Sequence, residues 1–225
     1  MRKYLYRLFL AFVLLSVLGQ LVSGCFSFRM SDKKAYEFFK DRPLKPILKK
    51  IKVEGYTINY ADIGADSLPA VVFLHGAPGA WDAFIHFMDD PELQRVVRMI
   101  SIDRPGYGQS DYGDPIISLS RQSQILKSIL DLISGKKIIL VGHSLGGPVA
   151  ARIAMDYPEV VDGLVLVAPS IDPELEKREW FRDVMKSPLG KLLLPGSIWS
   201  TNEEIFDLKE ELEEMLPLWG LSKYR

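Results

Sequence analysis

Histidine is scarce in this sequence: the three are His75, His86 and His143, and none follows residue 143. Any chemistry that needs an imidazole from the C-terminal third must do without one. A single cysteine, Cys25, excludes an intramolecular disulfide. Neither metal nor cofactor is expected. Excess charge is absent too: 28 Lys and Arg face 29 Asp and Glu, a formal net charge of -1. No basic field therefore points to nucleic acid. No internal repeat or low-complexity tract breaks the chain. What remains is an ordinary globular composition, 48% hydrophobic and 25% charged over 225 residues, suited to one domain with a small appendage.

Residues 1–24 read as a leader rather than as part of the fold. Arg2, Lys3 and Arg7 make a basic start, Leu8 to Leu18 is an apolar run broken only by Ser16, and Val22-Ser23-Gly24 places small residues before Cys25. That order is the order of a secretory signal. Small residues ahead of a cysteine resemble the lipobox of bacterial lipoproteins, which implies cleavage after Gly24 and a lipid on Cys25. The alternative is an uncleaved anchor, because Leu8 to Cys25 is about long enough for a marginal span. Both readings imply an exported protein held at a membrane of the cell envelope. Residues 25–45 read as a polar tether with a short helix, from Ser31-Asp32-Lys33-Lys34 to Tyr36, Phe38 and Phe39.

The core is expected over residues 46–172. Lys50–Val53 and Tyr56–Tyr60 flank Gly55 and predict an antiparallel hairpin. Ala70–Leu74 is a continuous apolar run, the pattern of a strand buried on both faces. Val97–Ile102, Lys137–Val141 and Gly163–Ala168 repeat it. Between them Ile125, Leu126, Ile129, Leu130 and Ile133 form one helical stripe, with Ser118 as its expected cap and Gly135 past its end. After Ser144 the small residues Gly146, Gly147, Ala150, Ala151 and Ala154 predict a helix lying close to the sheet. Alternating strands and helices argue for an α/β fold, a mostly parallel sheet with helices on both faces.

Three motifs stand at the ends of predicted strands. Gly142-His143-Ser144-Leu145-Gly146 matches G-x-S-x-G, which exposes a serine hydroxyl on a tight strand-to-helix turn. His75-Gly76-Ala77-Pro78-Gly79 could supply a backbone donor to a developing oxyanion, and Pro78 could fix the loop through a cis bond. Asp103-Arg104-Pro105-Gly106-Tyr107-Gly108-Gln109-Ser110 reads as a tight structural loop with no assigned chemistry. Each motif alone also fits an ordinary glycine-rich turn. Taken in this order, residues 46–172 resemble the α/β-hydrolase family. The resemblance implies Ser144 as nucleophile and the amides of Ala77 and Leu145 as oxyanion donors. It also implies a small-molecule substrate, approached at the carboxyl ends of the strands.

Serine at the elbow favours ester, amide, thioester or carbon–carbon hydrolysis through an acyl-serine; epoxide hydrolases and haloalkane dehalogenases need aspartate there. The loop is also close to the H-G-G-P-G of proline iminopeptidases, whose elbow differs. Residues 173–225 resemble the helical cap segment that members of this family insert after the sixth strand. Helices are expected over Glu174–Lys186 and over Asn202–Leu216, with Asn202 as cap of the second. Trp180, Trp199 and Trp219 would either face an apolar substrate or pack onto the core.

The family places its base histidine last, and no histidine follows Ser144. Asp172 is a candidate acid at a less common position. The last strands are expected to be missing, which makes the chain a truncated hydrolase, weak or inactive in this form. The alternative is a non-catalytic binding or scaffold module of the same descent. Substrate identity stays open, because a fold does not specify it.

Overall fold

In the computed structural model of this protein, residues 2–23, 28–133, 137–176, 179–220 and 223 are described. Cys25, the expected lipid site, and Gly135, the expected helix stop, lie outside them. The apolar runs become strands: β1 (Ile47–Val53), β2 (Tyr56–Ile63), β3 (Ala70–Leu74), β4 (Arg98–Ile102), β5 (Ile138–His143) and β6 (Gly163–Val167). They form one sheet in the order β1-β2-β4-β3-β5-β6. The hairpin is as expected. Val53 pairs with Tyr56, and Glu54 and Gly55 turn the chain with φ of 49° and 90°, the double positive φ of a two-residue turn. β2 also runs antiparallel to β4, whereas β3, β4, β5 and β6 are parallel. Because β3 is central, the ends of β3 and β5 meet at one edge of the sheet.

Strand periodicity divides the core into two layers. Val72, Leu74, Ile100, Ile102 and Leu140 share one layer with α5 (Leu119–Asp131), α6 (Gly146–Asp156) and α9 (Gly196–Trp219). Phe73 and Met99 face the other way. They pack with Trp81 and Phe84 of a short 3-10 helix (Trp81–Phe84), Met88 of α3 (Ile85–Met88), and Phe39 of α2 (Asp32–Phe39). The short helix expected in the tether is thus present, but it is docked. Phe39 is buried, and the Met30 amide donates to Asp82 Oδ2 at 3.0 Å.

Several expectations need correction. β6 is not buried on both faces: Val165 and Val167 are 46% and 45% exposed. Met88 of α3 and Leu93 of α4 (Pro91–Val96) pack with Phe73 and Met99, and an apolar groove of about 520 Å³ stays open beside them, lined by Val71, Phe73, Val141, His143, Val165 and Val167 among others. Ser118 stands at the start of α5, but its side chain makes no capping bond. The Leu119 amide instead donates to Glu211 Oε2 of α9 at 2.7 Å. Arg2–Ser23, the expected leader, is a helix, α1, whose described side chains are exposed and which approaches α8 (Pro188–Leu193). Among the described residues no helix is long and apolar enough to cross a membrane.

The C-terminal segment also differs in detail. Helix over Glu174–Lys186 shortens to α7 (Trp180–Met185), because Asp172 Oδ1 takes the Glu174 amide at 3.0 Å and turns the chain there. α9 starts at Gly196 after Pro195, not at Asn202. Pro195 has no N–H and a fixed φ, so it suits a helix start. Asn202 is buried inside α9 and donates from Nδ2 to the Arg182 carbonyl at 3.3 Å, tying α9 to α7. Leu208, Leu212 and Met215 of α9 sit in the main core layer. This part of the expected cap is therefore structural: truncating one of these side chains to Ala would cost ~2–5 kcal/mol. Trp199 is buried and Trp219 packs on the same core layer, whereas Trp180 is exposed.

Candidate active site

Ser144 sits between β5 and α6 with φ of 50°. A non-glycine residue there costs of order 1–3 kcal/mol and persists only when its surroundings hold it. Three backbone bonds do so. The Ser144 amide donates to the Val167 carbonyl at 3.1 Å, and the Ser144 carbonyl accepts from Gly147 at 2.9 Å and Ser170 at 3.2 Å. The small residues beyond it work as expected. A Cβ on Gly146 would lie 2.2 Å from the Leu74 carbonyl oxygen, so α6 reaches the end of β3 only with glycine there. At Gly142 an added Cβ would overlap the Gly146 carbonyl oxygen at 2.5 Å.

The His75–Gly79 loop closes over the same point. A Cβ on Gly76 would be 2.9 Å from the Ser144 Cβ, which sets the loop in direct contact with the serine. The Ala77–Pro78 peptide is cis. Gly79 packs on the loop's own turn, where a Cβ would meet the Gly76 carbonyl oxygen at 2.8 Å and His75 Nδ1 at 2.9 Å. Among the described residues the amides of Ala77 and Leu145 donate to no protein acceptor, and no side chain bonds the Ser144 hydroxyl.

His75 is fully buried and locked in one neutral form. Its Nε2 accepts from the Arg104 amide at 3.0 Å, so Nδ1 carries the proton and donates to the Gly76 carbonyl. Burial first, and the nearby Arg104 charge second, lower its pKa to about 3. The segment that received no chemistry is what holds it. Arg104 Nε donates to the His75 carbonyl at 2.8 Å, and its fork grips Glu204 of α9 at 2.7 Å and 3.1 Å. Tyr107 and Gln122 also donate to Glu204, at 2.8 Å and 2.9 Å. Burial would lower the Arg104 pKa, but the Glu204 charge and hydrogen bonds carry it above the ordinary value. Asp103 accepts from Trp81, Asn59 and Gln109 at 2.6, 2.7 and 2.9 Å. Burial nonetheless raises its pKa to about 6. Sequence reading missed Glu204, which looks like one more acid on an amphipathic helix until α9 brings it to Arg104.

The family model of the α/β hydrolase fold matches residues 69–192, a span that holds all three loops. This chain belongs to the α/β-hydrolase fold family. Over 130 residues it is 36% identical to a Bacillus subtilis (strain 168) protein named, provisionally, 2-succinyl-6-hydroxy-2,4-cyclohexadiene-1-carboxylate synthase, covering 56% of this chain and 46% of that one. It is 32% identical over 120 residues to mouse epoxide hydrolase 4, covering 52% of this chain and 33% of the relative. Among solved structures, Cfl2 from Burkholderia cenocepacia aligns with a TM-score of 0.62 at 19% identity, over 78% of this chain and 76% of the other. The chain thus spans between a third and a half of the length of these two curated relatives.

Within this hydrolase fold the remaining candidates are placed as follows. His143 is exposed at the end of β5 and lines the open groove. His86 is exposed and lies edge-on to Phe38, with ring centroids 5.6 Å apart. Asp172, the candidate acid, is exposed and spends one oxygen on the turn at Glu174. The structure brings Gly76, which precedes Ala77, against Ser144, which precedes Leu145, and no hydrogen bond joins a histidine to Ser144 among the described residues.

Proposed function

We propose that this chain carries the nucleophile and oxyanion side of a serine hydrolase that cleaves an ester, amide or similar acyl bond of a small molecule. Ser144 is the nucleophile, and the amides of Ala77 and Leu145 receive the charge that develops on the carbonyl oxygen. The observation that supports this reading is Ser144 at a positive φ with Gly76 against its Cβ, while among the described residues the amides of the next residues, Ala77 and Leu145, donate to no protein acceptor. Epoxide hydrolysis, the activity named for the mouse relative, is disfavoured because serine stands where that chemistry needs aspartate. The base is the missing part. His75 has both ring nitrogens engaged, His86 is turned to Phe38, and His143 adjoins the serine on a turn that separates neighbouring side chains. Without a base a serine hydroxyl is a weak nucleophile at neutral pH. These 225 residues by themselves are therefore expected to be weak or inactive, and the second reading is a binding module without catalysis.

Prolonged incubation with a fluorophosphonate, followed by peptide mass spectrometry, tests both. Slow modification confined to Ser144, with p-nitrophenyl ester turnover equal to that of Ser144→Ala, supports the nucleophile reading. Modification at another serine refutes the site, and no modification favours the binding module. Fast, Ser144-dependent turnover would mean that a base has gone unrecognised, with His86 first to test. We also propose that the protein is exported and held at a membrane by a lipid on Cys25. The basic and apolar leader before Val22-Ser23-Gly24 supports it. Mass spectrometry of the mature N-terminus decides: an unmodified cysteine or a retained Met1 refutes it.

A further inference from the structure

We propose that Glu204, acting through Arg104, is a positioning residue that sets the oxyanion loop against Ser144, so that α9 governs the geometry of the site. This inference deepens the serine-hydrolase reading above and rests on it. Arg104 divides its donors between two tasks. The two ends of its fork go to Glu204, at 2.7 Å and 3.1 Å, while Nε goes to the His75 carbonyl at 2.8 Å. The Arg104 amide donates to His75 Nε2 at 3.0 Å. One residue therefore holds both the backbone and the ring of His75, where the oxyanion loop begins. The loop has little slack beyond that point, since a Cβ on Gly76 would lie 2.9 Å from the Ser144 Cβ. Ala77, whose amide the reaction needs, comes next.

Glu204 is committed to holding. Its Oε1 accepts from Arg104 and Gln122, and its Oε2 from Arg104 and Tyr107. An ionised carboxylate offers about four acceptor sites, so none is left to take a proton from Ser144. Tyr107 extends the clamp, because its ring lies edge-on to His75 with centroids 5.4 Å apart. Ser200 of α9 donates to the Gly106 carbonyl at 3.0 Å. The second oxyanion arm meets the same helix. Leu145 is buried in the core layer that holds Leu208 of α9, and the two line one small cavity with Arg104 and Glu204. A contact that only fastened α9 would not need an ion pair, since apolar residues of similar volume often hold a buried contact equally well or better. Apolar residues would, however, take the guanidinium donor away from the His75 carbonyl. That difference separates positioning from stability.

The test uses the full chain and two variants. Arg104→Met with Glu204→Leu replaces the pair by an apolar contact. Arg104→Lys keeps a positive charge opposite Glu204 but offers one ammonium in place of a fork. Urea unfolding establishes that each variant is folded. The rate at which a fluorophosphonate modifies Ser144 over prolonged incubation reads the site, and the nitrogen–proton resonances of Gly76 and Ala77 read the loop. Folded variants should be labelled at least about tenfold more slowly than wild type, since a misplacement of ~1 Å can cost about 100-fold. Their Gly76 and Ala77 resonances should shift. Labelling at the wild-type rate in either folded variant overturns the proposal. Slower labelling with unchanged Gly76 and Ala77 resonances overturns it too, because the loop has then not moved. If the wild type is not modified at Ser144, the nucleophile reading fails instead. The resonances then decide whether the pair sets the loop, and unchanged positions in the folded variants refute it.

Discussion

Acid should destabilise this protein through His75 well before most carboxylates titrate. The ring is buried and neutral, with Nε2 accepting from the Arg104 amide and Nδ1 donating to Gly76. Burial and the Arg104 charge lower its pKa from 6.5 to about 3. In the unfolded chain the ring takes a proton near pH 6.5, and in the folded chain it does not. The stability it confers is complete above pH 6.5 and is lost progressively as pH falls toward 3. Between pH 7.5 and pH 5 these two values correspond to a loss of about 2 kcal/mol. Asp103 acts in the opposite sense. Burial raises it from 3.8 to about 6, so the folded state gains from its protonation over part of the same window. The comparison must therefore be made against His75→Gln, which keeps Asp103. Urea unfolding at several pH values should show the wild type losing about 2 kcal/mol more than His75→Gln between pH 7.5 and pH 5. Equal losses in the two proteins would refute the claim that the fold holds this ring neutral.

Other substitutions probe the remaining contacts. Glu204→Ala leaves Arg104 buried without its partner and should cost ~3–5 kcal/mol in thermal or urea unfolding, whereas the double change Arg104→Met with Glu204→Leu should recover most of it. Gly146→Ala drives a methyl to within 2.2 Å of the Leu74 carbonyl oxygen. It should cost more than ~3 kcal/mol or abolish folding by circular dichroism, while Ala150→Gly nearby should cost only ~1 kcal/mol. Val165→Lys lies on the open side of β6, at 46% exposure. It should change stability by less than ~0.5 kcal/mol and slow aggregation in light scattering, because a lysine on an open edge strand blocks pairing with another chain. A large loss of stability in Val165→Lys would mean that the groove is filled in the folded protein.

The serine turn was legible because its requirements are local. A serine between two glycines, after Ile138–Val141 and before a run of small residues, can form one kind of turn, and its positive φ follows. The His75–Gly79 loop was legible for the same reason. The helix starts were less so. Ser118 and Asn202 are good capping residues by type, but Glu211 caps α5 from another helix, and α9 starts after Pro195 at Gly196, six residues before the expected start at Asn202. A local preference worth about 1 kcal/mol yields to tertiary packing. The exposure of β6 was also invisible, since a run of Leu and Val looks alike whether one or both faces are covered.

Sequence alone determined the strand and helix alternation, the serine turn and the absence of an imidazole after residue 143, since each depends on residue type and near-neighbour spacing. Only the tertiary structure decided what the long-range pairs do. Arg104 and Glu204 are 100 residues apart, and nothing in either segment's pattern announces the other. The buried charge on Arg104 nonetheless needs that carboxylate, and the same arginine fixes the backbone and tautomer of His75. Low dielectric makes an unpaired charge so costly that the placement of α9, and with it the shape of the loop over Ser144, is set by a contact that exists only in the folded chain.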